Sequence, residues 1–167
     1  ADTGWRGQWG ITQDDYGRII YSRSHWPIVG DYIAEEYTNP RLRHDKYSVF
    51  GVDVAKVFHP FKKYEGEFLK VWPAIVTPDI TNPLPLRKDG TVEFFPSVAG
   101  VSVYRGHTFP SDFRGNYFVP DSAARIVRRS VVNESGGWPV LSFPGEPHRL
   151  EFLASKDPLF RAVNSHI

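Results

Sequence analysis

Two stretches of sequence decide the fold: GITQDDYGRIIY at residues 10–21 and YFVPDSAARIVR at residues 117–128. Each runs from a short apolar strand into an aspartate-led turn and then into a second apolar strand. The stretches align at a shift of 121 − 14 = 107 residues, with Asp14 over Asp121. An aspartate at the head of a turn accepts backbone N–H bonds and so closes a hairpin. The sequence therefore predicts a β-hairpin that occurs twice.

Repeated strand–turn–strand units build the blades of a β-propeller, at about 40–50 residues a blade. A shift of 107 residues fits two blades, or one blade with a long insertion. We favour the insertion, because the stretch between the hairpins holds repeated X-Pro pairs, which disfavour helix. The prediction is an all-β chain, a partial β-propeller of about two blades, forming one section over residues 1–167 with an irregular insertion at roughly 24–97.

Several short elements are predicted between and after the hairpins. Strands rich in β-branched and aromatic residues are expected at 46–51, 67–72, 91–95 and 101–105. Single helical turns are expected at 111–114 and 157–161. Glycine and proline make up 14 + 14 = 28 residues and aromatic residues 15% of the chain, which is typical of many short strands and turns.

Composition excludes several kinds of chemistry. The formal net charge of +1 gives no reason to expect a nucleic-acid partner, and no apolar stretch is long enough to span a membrane. The absence of cysteine excludes disulfides, thiolate nucleophiles, Cys-ligated zinc and covalent haem c within the chain. The chain opens without an apolar signal segment and contains no methionine, which fits a mature, processed or excised piece.

Four stretches in the same order resemble one family of proteins: GWRGQWGITQDDYGR at 4–18, AGVSVYRG at 99–106, FRGNYFV at 113–119 and EFLASKDPLFRAVN at 151–164. They are similar to segments of the quinone-dependent sugar dehydrogenases of the sorbosone/glucose dehydrogenase kind, large bacterial propeller proteins that are membrane-bound or carry a haem domain. The chain departs from the family pattern at Ala99, where the family has cysteine, and at Leu159, where it has tryptophan.

The resemblance implies a middle portion of an exported (periplasmic or extracellular) oxidoreductase that oxidises a sugar or aldehyde. The implied cofactors are pyrroloquinoline quinone (PQQ) and calcium. Earlier blades would supply the family's catalytic histidine, and members usually continue past the position of Asn164 with another strand. The expected partners are the rest of the propeller or other chains, and a sugar-type small molecule.

Arginine is the residue type suited to a quinone that bears carboxylates, because its planar guanidinium pairs with a carboxylate through two hydrogen bonds. Arg105, Arg128 and Arg161 each lie at or near the end of a predicted strand, and we predict that they bind the cofactor. Asp121 is predicted to lie on the same side, since Pro120 stiffens the strand end before it. The alternative for the arginines is an ion pair between blades, or stacking on an aromatic ring.

His25 is the predicted general base, because it lies where a strand gives way to a loop and its ordinary pKa is about 6.5. The alternative is a loop histidine hydrogen-bonded to backbone. Asp14 and Asp15 are predicted calcium ligands by analogy with the family, with turn closure as the alternative.

Two other functions stay open. One is a non-catalytic propeller module that binds carbohydrate or a partner protein, and the other is a propeller enzyme that processes sugars without redox chemistry, a lyase or hydrolase. A propeller fold cannot separate these functions, since it hosts many unrelated activities.

Overall fold

A computed structural model of the chain describes residues 9–23, 25–31, 57–58, 70–72, 86–135, 138–144 and 151–165. These residues form two antiparallel sheets, and their one helical element is a 3-10 turn at Ser111–Phe113. The prediction of an all-β chain is therefore confirmed. No helix in these ranges is long and apolar enough to cross a membrane.

The first sheet has four strands in chain order, β1 (Ile11–Gln13), β2 (Ile19–Arg23), β3 (Trp26–Asp31) and β4 (Val57–Phe58). β1 and β2 are the first predicted hairpin, with Gln13 opposite Ile19. β3 and β4 lie inside the range 24–97, which was predicted as an irregular insertion. Part of that range therefore completes a sheet.

The second sheet runs in the order β5 (Ser102–Val103), β6 (Tyr117–Asp121), β7 (Ile126–Ser135) and β8 (Trp138–Ser142), and β9 (Leu153–Ala154) also pairs with β7. β6 and β7 are the second predicted hairpin, with Asp121 opposite Ile126. The first half of β7 pairs with β6 and the second half with β8. The strands described here form open sheets, so the propeller itself stays a prediction.

The two hairpins occupy different positions in their sheets. The Asp14 hairpin joins the first and second strands of one sheet, whereas the Asp121 hairpin joins the second and third strands of the other. The strand equivalent to β1 by position is therefore β5, which starts 102 − 11 = 91 residues later. The 107-residue repeat thus marks a recurring turn rather than the spacing of whole sheets.

The two sheets share one apolar core. The main cluster takes Ile20 and Ile28 from the first sheet and Tyr117, Val119 and Ile126 from the second. Since successive side chains of a strand point to opposite faces, Phe118 and Val127 lie in a second cluster on the other face. The second sheet is therefore covered by apolar side chains on both faces.

The first strands of the two sheets meet at a pair of glycines. A methyl group added at Gly10 would lie 2.5 Å from the Cα atom of Gly100, a distance that no side chain tolerates. Nearby, the Ser22 hydroxyl donates to the Ala99 carbonyl at 2.6 Å. The missing side chains thus let the backbones before β1 and β5 touch.

The smaller predictions have mixed outcomes. The expected strand at 101–105 is present as β5 and the expected turn at 111–114 as the 3-10 turn, whereas 157–161 forms a hydrogen-bonded turn that is not helical. In place of a strand at 91–95, Val92 makes isolated bridges to Val71 and Leu86. The expected strand at 46–51 lies outside the described residues, as does most of the one at 67–72.

Candidate functional site

Asp14 closes the first hairpin with both of its carboxylate oxygens. Oδ1 accepts the backbone N–H groups of Tyr16 at 3.0 Å and Arg18 at 2.9 Å. Oδ2 accepts the Arg18 Nε–H at 2.5 Å and the Tyr117 hydroxyl at 3.3 Å. This buried carboxylate therefore ties its own turn to strand β6 of the other sheet.

Arg18 carries the contact onward to β7. Its Nη2 lies 2.7 Å from Oε1 of Glu134, and its guanidinium stacks on the Tyr16 ring at 4.8 Å. Burial lowers the pKa of Arg18, but hydrogen bonds to Glu134 and Asp14 outweigh burial and raise that pKa above its ordinary value. Burial and the charge of Asp14 also raise the pKa of the Tyr117 phenol. Arg18 stays charged and Tyr117 neutral at physiological pH.

Asp15 and Arg105 form a second link between the sheets, at the surface. Arg105 Nε lies 2.7 Å from Oδ1 of Asp15, and its Nη2 donates to the Gln13 carbonyl. Both side chains are exposed, so this ion pair is worth about 0–1 kcal/mol. Arg105 can therefore exchange Asp15 for another carboxylate at little cost.

The turn at Asp14 and Asp15 does not fit a calcium ion in this arrangement. Calcium takes six to eight oxygen ligands, and a carboxylate offers about four acceptor positions. The four hydrogen bonds to Asp14 occupy those positions, and Asp15 is paired with Arg105. In the described ranges no three His, Asp or Glu side chains come together as a metal site. Calcium binding by Asp14 and Asp15 stays a prediction.

Asp121 closes the second hairpin in the same manner as Asp14. Its Oδ1 accepts the N–H groups of Ala123 and Ala124 at 3.0 and 2.9 Å, and its Oδ2 accepts that of Ser97 at 2.9 Å. Burial raises the pKa of this carboxyl, and the three N–H donors and Arg128 oppose the shift. Asp121 is fully buried and bonded to backbone, so it acts as a turn residue here.

Arg128 is the most enclosed of the three predicted cofactor arginines. Its Nε and Nη2 bond the two oxygens of Glu151 at 3.0 and 2.5 Å, and Nη2 also bonds the Lys70 carbonyl at 2.7 Å. The guanidinium lies between the rings of Phe95 and Phe143, at 4.8 and 4.1 Å. With 0% of its side chain exposed, Arg128 has the geometry of an internal ion pair, the alternative weighed for it.

The remaining candidates lie at separate places. Arg161 is exposed and donates to the carbonyls of Pro158 and Phe160 in its own turn, at 2.7 and 2.9 Å. His25 is an exposed residue between β2 and β3, with Nδ1 3.0 Å from the Phe95 carbonyl and its ring edge-on to Phe94. This is the backbone-bonded geometry of the alternative interpretation. Catalysis by His25 stays a prediction.

The structure brings together Asp14, Asp15 and Arg105, because the ends of β1 and β5 lie side by side. Glu134 and Glu151, the partners of Arg18 and Arg128, were missed in the sequence. They lie 116 and 23 residues from those arginines. Only the charge of an arginine inside an apolar strand hints that a carboxylate must exist somewhere in the chain.

Comparison with known proteins identifies the family of the chain. The model of a domain of unknown function (DUF7133) matches residues 2–167, and the chain therefore belongs to this family. No curated protein and no solved structure matches the chain.

Proposed function

We propose that this member of the DUF7133 family contributes two neighbouring blades to a β-propeller that oxidises a sugar or aldehyde with a quinone. In this proposal the chain supplies framework and one edge of the ligand cavity. The quinone supplies the acceptor for hydride, and residues outside the described ranges hold most of it. Asp14, Asp121 and Arg128 stabilise the fold.

The observation that carries the blade assignment is the contact between the first strands of two successive antiparallel sheets. Propeller blades are four-stranded antiparallel sheets, set radially around a central channel. The two sheets here have the strand orders β1-β2-β3-β4 and β5-β6-β7-β8, and they touch at Gly10 and Gly100. This arrangement supports β1 and β5 as the innermost strands of adjacent blades.

Arg105 is the residue of this chain best suited to meet an anionic cofactor. It follows β5, it reaches the end of β1 through Gln13 and Asp15, and its guanidinium is exposed. Arg128 would have to leave Glu151 buried without its counter-ion, a cost of about 3–5 kcal/mol. Arg105 has only a weak surface pair to give up, so a carboxylate group of the ligand competes with Asp15 on favourable terms.

The test uses the natural polypeptide that contains this chain, reconstituted with PQQ and calcium and supplied with aldoses or aldehydes and a redox dye. We expect dye reduction, and Arg105→Gln should weaken quinone binding about tenfold or more through loss of a charge-assisted pair. Arg161→Gln is the matched control, an exposed arginine bonded only within its own turn. Absence of dye reduction with every substrate would overturn the oxidoreductase proposal. Equal binding by both variants would overturn the role of Arg105 alone.

A second candidate function is a propeller module that binds carbohydrate without turning it over. It is favoured by the engagement of Asp14, Asp121 and Arg128 in internal contacts, which leaves these groups no part in chemistry. Binding of the same polypeptide to a glycan array, without dye reduction or product formation, would support this function. Turnover of a bound sugar would exclude it.

A further inference from the structure

Residues 163–165 run alongside the start of β5. The Gly100 N–H donates to the Val163 carbonyl at 3.1 Å, and Gly100 and Asn164 form a parallel bridge. The Ser102 and Ser165 hydroxyls lie 2.6 Å apart. A methyl group at Gly100 would lie 2.9 Å from Oδ1 of Asn164, so this glycine permits the close approach. Gly100 thus contacts residues 163–165 as well as Gly10.

Three extended segments therefore meet around Gly100, and two of them lead into or begin the first strand of a sheet. From this arrangement we infer that residues 163–165 begin the first strand of a third sheet, supplied by the same polypeptide. The inference rests on the proposal that the two described sheets are neighbouring blades. It adds which surface of the second sheet the next blade covers.

The surface that the third sheet covers is the C-terminal apolar surface, which we define as Phe152, Leu153, Leu159 and Val163. All four side chains are exposed, and Leu159 and Val163 have the highest exposure among them, 85% and 63%. Contiguous apolar groups of this kind mark an interaction site in a soluble protein.

Beneath that surface lies the second apolar cluster of the second sheet. Phe152 meets the rings of Phe118, Phe109 and Phe113 at 4.9, 5.8 and 6.0 Å. The opposite face of this sheet is already packed against the first sheet through the main core. A sheet with one face on a neighbouring sheet and apolar groups on the other is a middle layer, and the interface in hand shows the kind of element that fits such a face.

The covering sheet belongs to the same polypeptide because residues 163–165 are already paired with the start of β5. Any continuation of that strand starts beside the C-terminal apolar surface. A sheet from a second copy would have to enter beside a strand position that this chain itself occupies.

The experiment measures maleimide labelling of single-cysteine variants of the natural polypeptide. The chain has no cysteine, so each variant carries one reactive site within it. The test variants are Leu159→Cys and Val163→Cys. The control is Tyr16→Cys, in the first hairpin turn and 73% exposed. Labelling in urea gives the reference rate for each site.

Relative to that reference, we expect Leu159→Cys and Val163→Cys to label about tenfold or more slowly than Tyr16→Cys, at a rate independent of protein concentration. Equal labelling of all three sites in the folded protein would overturn the inference. Protection that disappears on dilution would assign the surface to a second copy, and would also overturn it. None of these rates depends on quinone binding or turnover, so this failure is distinguishable from failure of the oxidoreductase proposal.

Discussion

Arg128 and Glu151 form an ion pair from which solvent is excluded, with 0% and 1% of their side chains exposed. Two hydrogen bonds join the charges, and the rings of Phe95 and Phe143 cover both faces of the guanidinium. A buried pair of this kind is costly to break from one side, because the partner left behind is a charge without water. It is much less costly to replace as a whole.

Arg128→Met alone should lower the free energy of unfolding by about 3–5 kcal/mol, since it leaves the Glu151 carboxylate buried and unpaired. The double variant Arg128→Met/Glu151→Leu should lose less than the single variant, because no charge remains. Urea unfolding followed by tryptophan fluorescence measures both. Arg105→Gln, which breaks the exposed pair with Asp15, serves as the control at about 0–1 kcal/mol. Additive losses in the double variant would contradict this account.

At the residue scale, the sequence identified which side chains are unusual but not what they contact. Arg128 was selected because it lies within an apolar strand, and the structure places it in an internal ion pair. Its partner Glu151 follows residues 145–150, outside the described ranges, and nothing local to either residue specifies the pairing. Contacts between charged groups far apart in sequence depend on how the strands pack, which a single sequence does not display.

At the element scale, the two hairpins use one device with different geometry. In each turn, a single aspartate oxygen accepts two backbone N–H groups, at positions two and four after Asp14 and two and three after Asp121. The left-handed residue is Gly17 in the first turn and Arg125 in the second, with φ of 80° and 58°. The aspartates were therefore predictable as turn residues, whereas the exact turn was not.

Asp14→Asn should destabilise the protein by about 1–3 kcal/mol, because it removes the ion pair with Arg18 and one acceptor for buried donors. The neighbouring Asp15→Asn is the matched control and should cost less than about 1 kcal/mol, since Asp15 is exposed. Urea denaturation of both variants measures the difference. Equal effects would show that the hydrogen bonds of Asp14 contribute no more than a surface pair.

Asp121 gives the second hairpin a pH dependence of defined sign. Burial raises its pKa in the folded state, so folding binds a proton more tightly than the unfolded chain, whose aspartate pKa is about 3.9. Its contribution to stability is then fully present below pH 3.9 and is lost as pH rises through the folded pKa. The free energy of unfolding of the wild type, minus that of Asp121→Asn, should decrease from pH 4 upward. A difference that increases with pH would contradict the sign.

At the scale of the whole molecule, the shared core joins the sheets more firmly than their polar contacts do. Ile20 of β2 and Ile126 of β7 lie in one cluster with no exposed surface, although they come from different sheets. Apolar burial of this kind is the largest favourable term in folding. The two sheets should therefore unfold together.

Ile20→Ala and Ile126→Ala should each cost about 2–5 kcal/mol and shift the same single unfolding transition. Fluorescence and far-UV circular dichroism, recorded along one urea titration, test for coincidence. Two separated transitions, each moved by one variant alone, would show that the sheets are independent units.

The sequence by itself determined the all-β class and the two aspartate-closed hairpins. Both follow from patterns local to about a dozen residues, namely alternating apolar residues, turn chemistry and X-Pro pairs. Only the tertiary structure decided that β3 and β4 complete the first sheet, that β5 is the positional equivalent of β1, and that Asp14 and Arg128 bond within the fold. The physical reason is that strand pairing, the Gly10–Gly100 contact and the partners of buried charges join residues far apart in the chain. Those choices depend on packing the whole core at once.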